Sequence, residues 1–265
     1  MGSPKARAGN RVSRRETRRK GHDNLLQVVK EEAARKPVRP AKTLIKPLTD
    51  TQRLYDLSIR SNIITFGTGP AGTGKTWFAA RRAAEQMLEG NIDKLYITRP
   101  AVEAGESMGF LPGELDEKFE PYFRPVREAL EEAFGSGHLE YLIKSGAIEA
   151  RPLAFLRGAT LKNCWVLLDE AQNTTPLQMK MFLTRIGQNC KVIVNGDTSQ
   201  KDINGSSGLA DAVRRLSGVD KVGHVQFAVM DIVRSGICRA IVRAYEDEDE
   251  PVEREELGKL IMEVN

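Results

Sequence analysis

Short apolar runs and longer segments with helical periodicity follow one another along most of this chain. The short runs are bounded by glycine or polar residues and predict strands, whereas the longer segments predict helices. Strands that alternate with helices favour an α/β fold, in which helices cover both faces of a parallel sheet. The predicted strands are residues 63–66, 95–98, 164–169, 191–195 and 222–227, and the predicted helices are residues 49–59, 75–88, 115–134, 139–144, 176–186, 209–216 and 231–245.

Residues 99–125 interrupt this alternation. Glycine or proline breaks any long periodic pattern there, at positions 105, 109, 112, 113, 121 and 125. A loop of this length inside a compact domain is usually functional. We therefore expect this segment to contribute to the function of the protein.

Charge divides the chain into three parts. Residues 1–46 contain 14 Lys and Arg against 4 Asp and Glu, whereas residues 47–265 contain 26 against 32. Prolines near residue 46 separate a basic and flexible arm, residues 1–46, from a folded domain over 47–245, and residues 246–265 form an acidic tail. The arm suits two roles about equally well: neutralising nucleic-acid phosphates, or keeping the protein in solution.

The composition indicates a globular protein of the cytoplasm. Hydrophobic residues make up 40% of the 265 positions, which is enough for a core. No apolar run approaches the roughly 20 residues that span a bilayer, and no signal peptide is visible. Cys164, Cys190 and Cys238 are widely spaced and odd in number, which predicts buried thiols rather than disulfides or a zinc site.

The most informative motif follows the first predicted strand and precedes the second predicted helix. It matches the phosphate-binding pattern G-x-x-x-x-G-K-[ST] at every specified position. Backbone amides of such a loop cradle nucleotide phosphates, its lysine reaches the β- and γ-phosphates, and its threonine offers a hydroxyl to Mg²⁺. The predicted nucleotide-binding residues are Gly69, Pro70, Ala71, Gly72, Thr73, Gly74, Lys75 and Thr76.

Two adjacent carboxylates end a later apolar strand. Asp169 and Glu170 follow the apolar residues 165–168. At the carboxyl end of a strand the first carboxylate can hold Mg²⁺, while the second turns toward the γ-phosphate. This spacing predicts that Asp169 is linked to the metal and that Glu170 activates the attacking water.

Two further candidates lie nearer the C-terminus. The motif Gly196–Gln200 follows a predicted strand, and its last residue, Gln200, could sense whether the terminal phosphate is present. The same residues would also suit an ordinary turn. Arg234 is a candidate arginine finger, which stabilises charge on the transferred phosphate. A surface ion pair is an equally good interpretation of that arginine.

Taken together, these motifs closely resemble the PhoH-like family of ATPases, which belongs to the RecA-like P-loop group and is related to superfamily 1 helicases. The resemblance covers residues 47–245, and the glycine- and proline-bearing loop is its most family-specific part. The matching segments are Gly69–Thr76, Thr98–Glu106, Gly109–Gly113, Leu168–Asn173, Gly196–Gln200 and Asp231–Arg234.

The resemblance implies roles for individual residues. Asp169 and Glu170 would serve Mg²⁺ and hydrolysis, Gln200 would sense the γ-phosphate, and Arg234 would lie at the nucleotide or at a subunit interface. Gln52 occupies the place of a glutamine that recognises the adenine edge, and an amide can both donate and accept there.

The resemblance also implies partners. Thr98 and Arg99 occupy the place of a helicase segment that contacts single-stranded nucleic acid. The chain has no second RecA-like domain, which favours a homo-oligomeric ring, with a hexamer implied by the resemblance. In such a ring Arg234 would act in trans, at the nucleotide of a neighbouring subunit.

We therefore expect an ATPase that uses ATP and Mg²⁺ and that binds or remodels RNA or single-stranded DNA. The alternative is an assembly module in which slow nucleotide hydrolysis times association with a protein partner. A small-molecule kinase is disfavoured, because Asp169, Glu170 and the Gly196–Gln200 motif suit a water nucleophile better than an acceptor pocket.

Overall fold

A single sheet of six parallel strands lies at the centre of the fold. The computed structural model describes residues 45–100, 115–158, 160–198, 200, 202–203, 205–234, 236–237 and 240–241. The strands lie in the order β3-β2-β4-β5-β1-β6. They are β1 (Ile64–Thr68), β2 (Leu95–Arg99), β3 (Ile148–Pro152), β4 (Cys164–Leu168), β5 (Cys190–Gly196) and β6 (Val222–Gln226).

Six α-helices with defined bounds accompany the sheet within the described ranges. Threonine hydroxyls cap two of them: Thr49 Oγ1 accepts a hydrogen bond from the Gln52 amide at 3.1 Å, and Thr175 forms a capping box with Gln178. The helices are α1 (Asp50–Ser61), α2 (Lys75–Leu88), α3 (Leu115–Phe134), α4 (Ser136–Lys144), α5 (Pro176–Leu183) and α6 (Gly208–Leu216).

Hydrophobic cores lie on both faces of the sheet. Successive residues of β4 alternate between them: Trp165 and Leu167 pack with α1, α2, α3 and α4, whereas Val166 and Leu168 pack with α5 and α6. The predicted α/β fold class, with a parallel sheet covered by helices on both faces, is confirmed.

Two elements differ from the prediction. The sequence did not indicate β3, because Glu149 and Arg151 give it the composition of a surface segment; it forms the edge of the sheet beside β2. The helix predicted over 231–245 starts later: Val229–Asp231 form a 3₁₀ turn, Ile232 to Arg234 are not helical, and residues 236–237 and 240–241 are helical.

The predicted burial of the cysteines is confirmed for the two that the structure describes. Cys164 and Cys190 are buried, free and opposite each other on β4 and β5, with their sulfur atoms 3.6 Å apart. Cys238 lies outside the described residues, as do residues 1–44 of the basic arm and the whole acidic tail. Among the described helices, none is both long enough and apolar enough to cross a membrane.

The topology brings the predicted motifs to one edge of the sheet. The glycine-rich loop follows β1, the two carboxylates follow β4, and β5 lies between these two strands. Because all three strands are parallel, their carboxyl ends meet at the same edge, which is where ligands bind in open α/β sheets.

Candidate nucleotide site

A cavity of about 600 Å³ opens at this edge of the sheet. Its lining includes most of the residues that the sequence predicted, together with Trp77 and part of α3. Four other predicted site residues, Gly69, Pro70, Thr73 and Thr98, are buried and do not line the cavity. The predicted site residues along the cavity are Gln52, Ala71, Gly72, Gly74, Lys75, Thr76, Arg99, Asp169, Glu170, Gln200 and Arg234.

The loop requires glycine where its backbone turns. Gly69 has a φ of +131°, and a Cβ atom there would lie 2.2 Å from the backbone oxygen of Phe227. Gly74 has a φ of +82° at the N-terminal end of α2. Only glycine adopts such angles without strain, so the motif is conformationally specified. The following helix places its positive dipole end at the loop.

The lysine of the motif is held inside the loop. Lys75 Nζ donates hydrogen bonds to the carbonyl oxygens of Gly69 at 2.6 Å and Pro70 at 2.8 Å, and to Thr73 Oγ1 at 3.2 Å. Burial lowers the pKa of Lys75, while the charge of Asp197 opposes that effect. Lys75 can therefore deliver positive charge to an anion from a poorly solvated position.

The structure brings together Thr76 and Asp169, the two residues that the sequence predicted to hold Mg²⁺. The Thr76 hydroxyl donates to Asp169 Oδ1 at 2.7 Å, and Asp169 is 8% exposed. Burial raises the pKa of Asp169, and the hydrogen bond from Thr76 opposes this shift. No cluster of three or more His, Cys, Asp or Glu residues among the described positions could hold a metal ion. The oxygens of Thr76 and Asp169 fit Mg²⁺, which proteins bind through one or two carboxylates plus substrate phosphates.

Glu170 lies at a turn immediately after Asp169. Its φ is +52°, a left-handed conformation that is uncommon outside glycine. Arg99 forms an ion pair with Glu170 Oε1 at 3.0 Å, and Gln172 Nε2 donates to Oε2 at 2.6 Å. Two side chains thus fix the carboxylate that the sequence predicted to activate water.

Sequence reasoning assigned no role to Gln172. Its side chain links two strand ends, since Nε2 donates to Glu170 while Oε1 accepts from the Asp197 amide at 3.0 Å. The sequence shows a carboxamide two residues after the paired carboxylates, but its partner, the residue that follows β5, becomes evident only in the fold.

Gln200 and Arg234 reach the same cavity from different segments. Gln200 is exposed, and its backbone amide donates to the Asp197 backbone carbonyl at 3.3 Å. Arg234 belongs to a segment that is bonded to the loop, because the Val233 amide donates to the Gly72 carbonyl at 3.1 Å. A Cβ atom on Gly72 would lie 3.2 Å from Arg234 Cδ.

The position of Arg234 favours a role at the loop of its own chain, whereas the trans role was expected from the lack of a second RecA-like domain. The trans role stays a prediction. The residues after β6 return to the glycine-rich loop of the same chain and place Arg234 against it.

Gln52 has a structural role that the sequence did not predict. Its Nε2 donates to the Thr73 carbonyl at 3.0 Å, and its Oε1 accepts from the Leu48 amide at 2.8 Å. The residue is 3% exposed, so it tethers the glycine-rich loop to the segment before α1. Nε2 retains one further N–H donor and Oε1 one further lone pair, so adenine recognition by Gln52 stays a proposal.

The prediction that Thr98 contacts nucleic acid is wrong for the described structure. Thr98 lies in the sheet between β3 and β4 and is 0% exposed, so its side chain cannot reach a polymer outside. Arg99 is the next residue on β2, points to the opposite face and lines the cavity.

The PhoH-like protein family matches residues 44–246 of this chain. A PhoH-like protein of Bacillus subtilis (strain 168) is 48% identical over 207 residues, which cover 77% of this chain and 65% of that protein. Protein PhoH of Escherichia coli (strain K12) is 46% identical over 200 residues, which cover 74% of this chain and 56% of that protein. The chain thus matches less than two thirds of the length of these relatives.

Comparison with solved structures gives remote likenesses. The large terminase of a thermophilic bacteriophage has a TM-score of 0.43 and 10% identity, over 78% of this chain and 52% of that chain. The Pif1 helicase of Candida albicans has a TM-score of 0.36 and 12% identity, over 70% and 40% of the two chains. Likenesses this weak carry no functional argument.

Proposed function

Because the chain belongs to the PhoH-like family, we propose that it is a Mg²⁺-dependent ATPase. The observation that carries this proposal is the convergence of the motif residues at one cavity, above all the 2.7 Å contact between Thr76 and Asp169. A phosphate-binding loop needs this neighbouring carboxylate to hold the metal that neutralises phosphate charge.

Each residue then has a defined task. Backbone amides of the loop receive the phosphates, and Lys75 moves from the loop carbonyls to the phosphate oxygens. Thr76 and Asp169 would hold Mg²⁺, which supplies charge neutralisation when it is bound. Glu170 accepts a proton from the attacking water, while Gln200 and Arg234 contact the terminal phosphate.

We further propose that hydrolysis is coupled to RNA or single-stranded DNA. Support comes from the 14 Lys and Arg residues among positions 1–46, and from Arg99 at the rim of the cavity. A polyanion gains affinity from such charges through counterion release. A ring of subunits remains the proposed working assembly, and the cytoplasm its proposed location.

The test measures ATP hydrolysis by the full chain with Mg²⁺ or with EDTA, each with and without single-stranded RNA or DNA. We expect turnover that requires Mg²⁺ and that rises with one of the two polymers. Mg²⁺-dependent turnover that neither polymer changes would favour the assembly module. No hydrolysis under any condition, despite ATP binding, would contradict the ATPase assignment.

A further inference from the structure

Arg99 connects two neighbouring strand ends at the catalytic edge. It is the last residue of β2, and Glu170 follows β4, which pairs directly with β2. Their ion pair measures 3.0 Å, with side-chain exposures of 24% for the arginine and 37% for the glutamate. Both groups are therefore accessible from the solvent, and the pair can open.

Arg99 also contacts helix α3. Its Nη1 donates to the Tyr122 carbonyl at 3.4 Å, and its guanidinium lies 5.8 Å from the centre of the Tyr122 ring. Pro125 and Glu128 of the same helix line the cavity together with Arg99. The arginine thus joins the catalytic carboxylate to an element outside the phosphate-binding loop.

The ion pair restricts what Glu170 can do. Arg99 engages one carboxylate oxygen, and Gln172 donates to the other at 2.6 Å. Two of the carboxylate's hydrogen-bonding positions are therefore occupied, and its orientation is fixed by both donors. A water-activating carboxylate works only if it is within hydrogen-bond reach of that water, so its orientation controls the rate.

We propose that Arg99 is a positioning residue that restrains Glu170, and that a backbone phosphate of a single-stranded nucleic acid releases Glu170 by binding Arg99. This proposal rests on the function proposed above and adds its regulation. A guanidinium presents several donors in a planar fork, which matches phosphate geometry as well as carboxylate geometry. Phosphate and carboxylate therefore compete for the same side chain.

The test is Arg99→Gln, assayed in the full chain at saturating ATP and Mg²⁺, with and without poly(U) RNA. Without RNA, kcat should rise about two- to fivefold, as expected for the loss of a partly exposed ion pair. The KM for ATP should stay unchanged, because Arg99 acts on Glu170. Poly(U) should then give no further increase, whereas it should stimulate the parent protein.

Arg151→Gln is the matched control. Arg151 lies near the end of β3, the strand beside β2, and pairs with Glu149 at 2.6 Å away from the cavity lining. This variant should keep both the parental kcat and its response to RNA. If Arg99→Gln does not fold in a thermal melt, Arg99→Lys keeps the charge with fewer donors and should show a smaller gain.

Several results would overturn the proposal. A lower or unchanged kcat in Arg99→Gln would do so, and a lower value would place Arg99 on the substrate phosphate instead. A raised kcat that poly(U) still stimulates would exclude Arg99 as the phosphate contact. If RNA does not stimulate the parent protein, the proposed coupling fails, whereas the basal gain of Arg99→Gln still tests the restraint by itself.

Discussion

Lys75 and Asp169 are charged residues with exposed fractions of 8% each. Burial lowers the pKa of Lys75 and raises the pKa of Asp169, so the environment disfavours the charged form of both. Each residue contacts its partners in the loop, but those contacts do not fully replace water. The site therefore stores unfavourable electrostatic free energy, which phosphate and Mg²⁺ would relieve.

Asp169→Asn should for this reason stabilise the ligand-free protein while it removes Mg²⁺-dependent hydrolysis. A folded-state pKa above the ordinary value of 3.8 favours the protonated form, so this residue's contribution to stability falls as the pH rises through that folded-state pKa. At pH 7 the gain should be about 1.4 kcal/mol for each unit of pKa difference. Urea denaturation measures it, and the gain should disappear below about pH 4, where the carboxyl is protonated in both states.

Asp211→Asn is the control with the opposite sign. Hydrogen bonds from Arg215 and Arg214 lower the pKa of Asp211, so its contribution is present at neutral pH and is lost on acidification. The substitution should not stabilise the protein at pH 7. A stabilising effect of similar size in both variants would contradict the assignment of the gain to the burial of Asp169.

Sequence patterns predicted the candidate site residues more reliably than the contacts between them. The glycine-rich loop and the paired carboxylates follow from local spacing, because a strand, a turn and a helix determine them. The ion pair between Arg99 and Glu170 depends on β2 lying next to β4, and the chain order does not specify that neighbour. Thr98 was misassigned because a one-residue step along a strand reverses the face.

Elements meet closely where β5 ends. A Cβ atom on Gly196 would lie 2.6 Å from Gln172 Oε1 and 2.6 Å from Leu209 Cδ2. A side chain at this position would therefore crowd the turn that follows β4, and glycine avoids this crowding. This close approach positions Gln172, which in turn holds Glu170.

Gly196→Ala should destabilise the protein by about 1–3 kcal/mol, the usual effect of an extra atom in a packed region. Gly137→Ala in α4 is the control, since nothing lies within 4 Å of its added Cβ. The control should leave unfolding in urea unchanged or raise stability by up to about 1 kcal/mol. Equal effects of the two variants would refute the packing argument.

Strands differ in how well the sequence indicates them. The buried strands β1, β2, β4 and β5 are runs of apolar residues, because both of their faces are covered. The edge strand β3 needs fewer apolar residues, so its composition gives little signal. The helix predicted after β6 began too early because apolar residues there pack outside a helix: Ile232 is 1% exposed, and Val233 bonds to the loop.

The whole molecule shows that a single domain brings its own arginine to the phosphate-binding loop. Arg234 lies against Gly72 of the same chain, so the proposed hydrolysis would not need a neighbour to provide this arginine. A ring therefore remains a proposal about how hydrolysis is coupled to nucleic acid, and it is not needed to explain the proposed hydrolysis itself. The family match over residues 44–246 leaves the assembly untested.

Mixing two inactive variants distinguishes these roles. Arg234→Ala should lower kcat by about 10³-fold or more, because a transition-state charge loses its partner. When Arg234→Ala and Lys75→Ala subunits are mixed and allowed to exchange, ATP hydrolysis should not recover. Every chain then lacks one of the two residues at its own site. Mixed assemblies must be verified by co-purification of two tags. Recovery of activity would instead establish a trans role.

The most direct test of the central claim compares ATP binding and single-turnover hydrolysis in Glu170→Gln. Our account predicts that this variant binds ATP with Mg²⁺ as tightly as the parent protein and hydrolyses it about 10²- to 10⁴-fold more slowly, the usual range for a lost general base. Lys75→Ala should lose affinity as well as turnover, which separates binding from chemistry. Hydrolysis by Glu170→Gln at the parental rate would contradict the account.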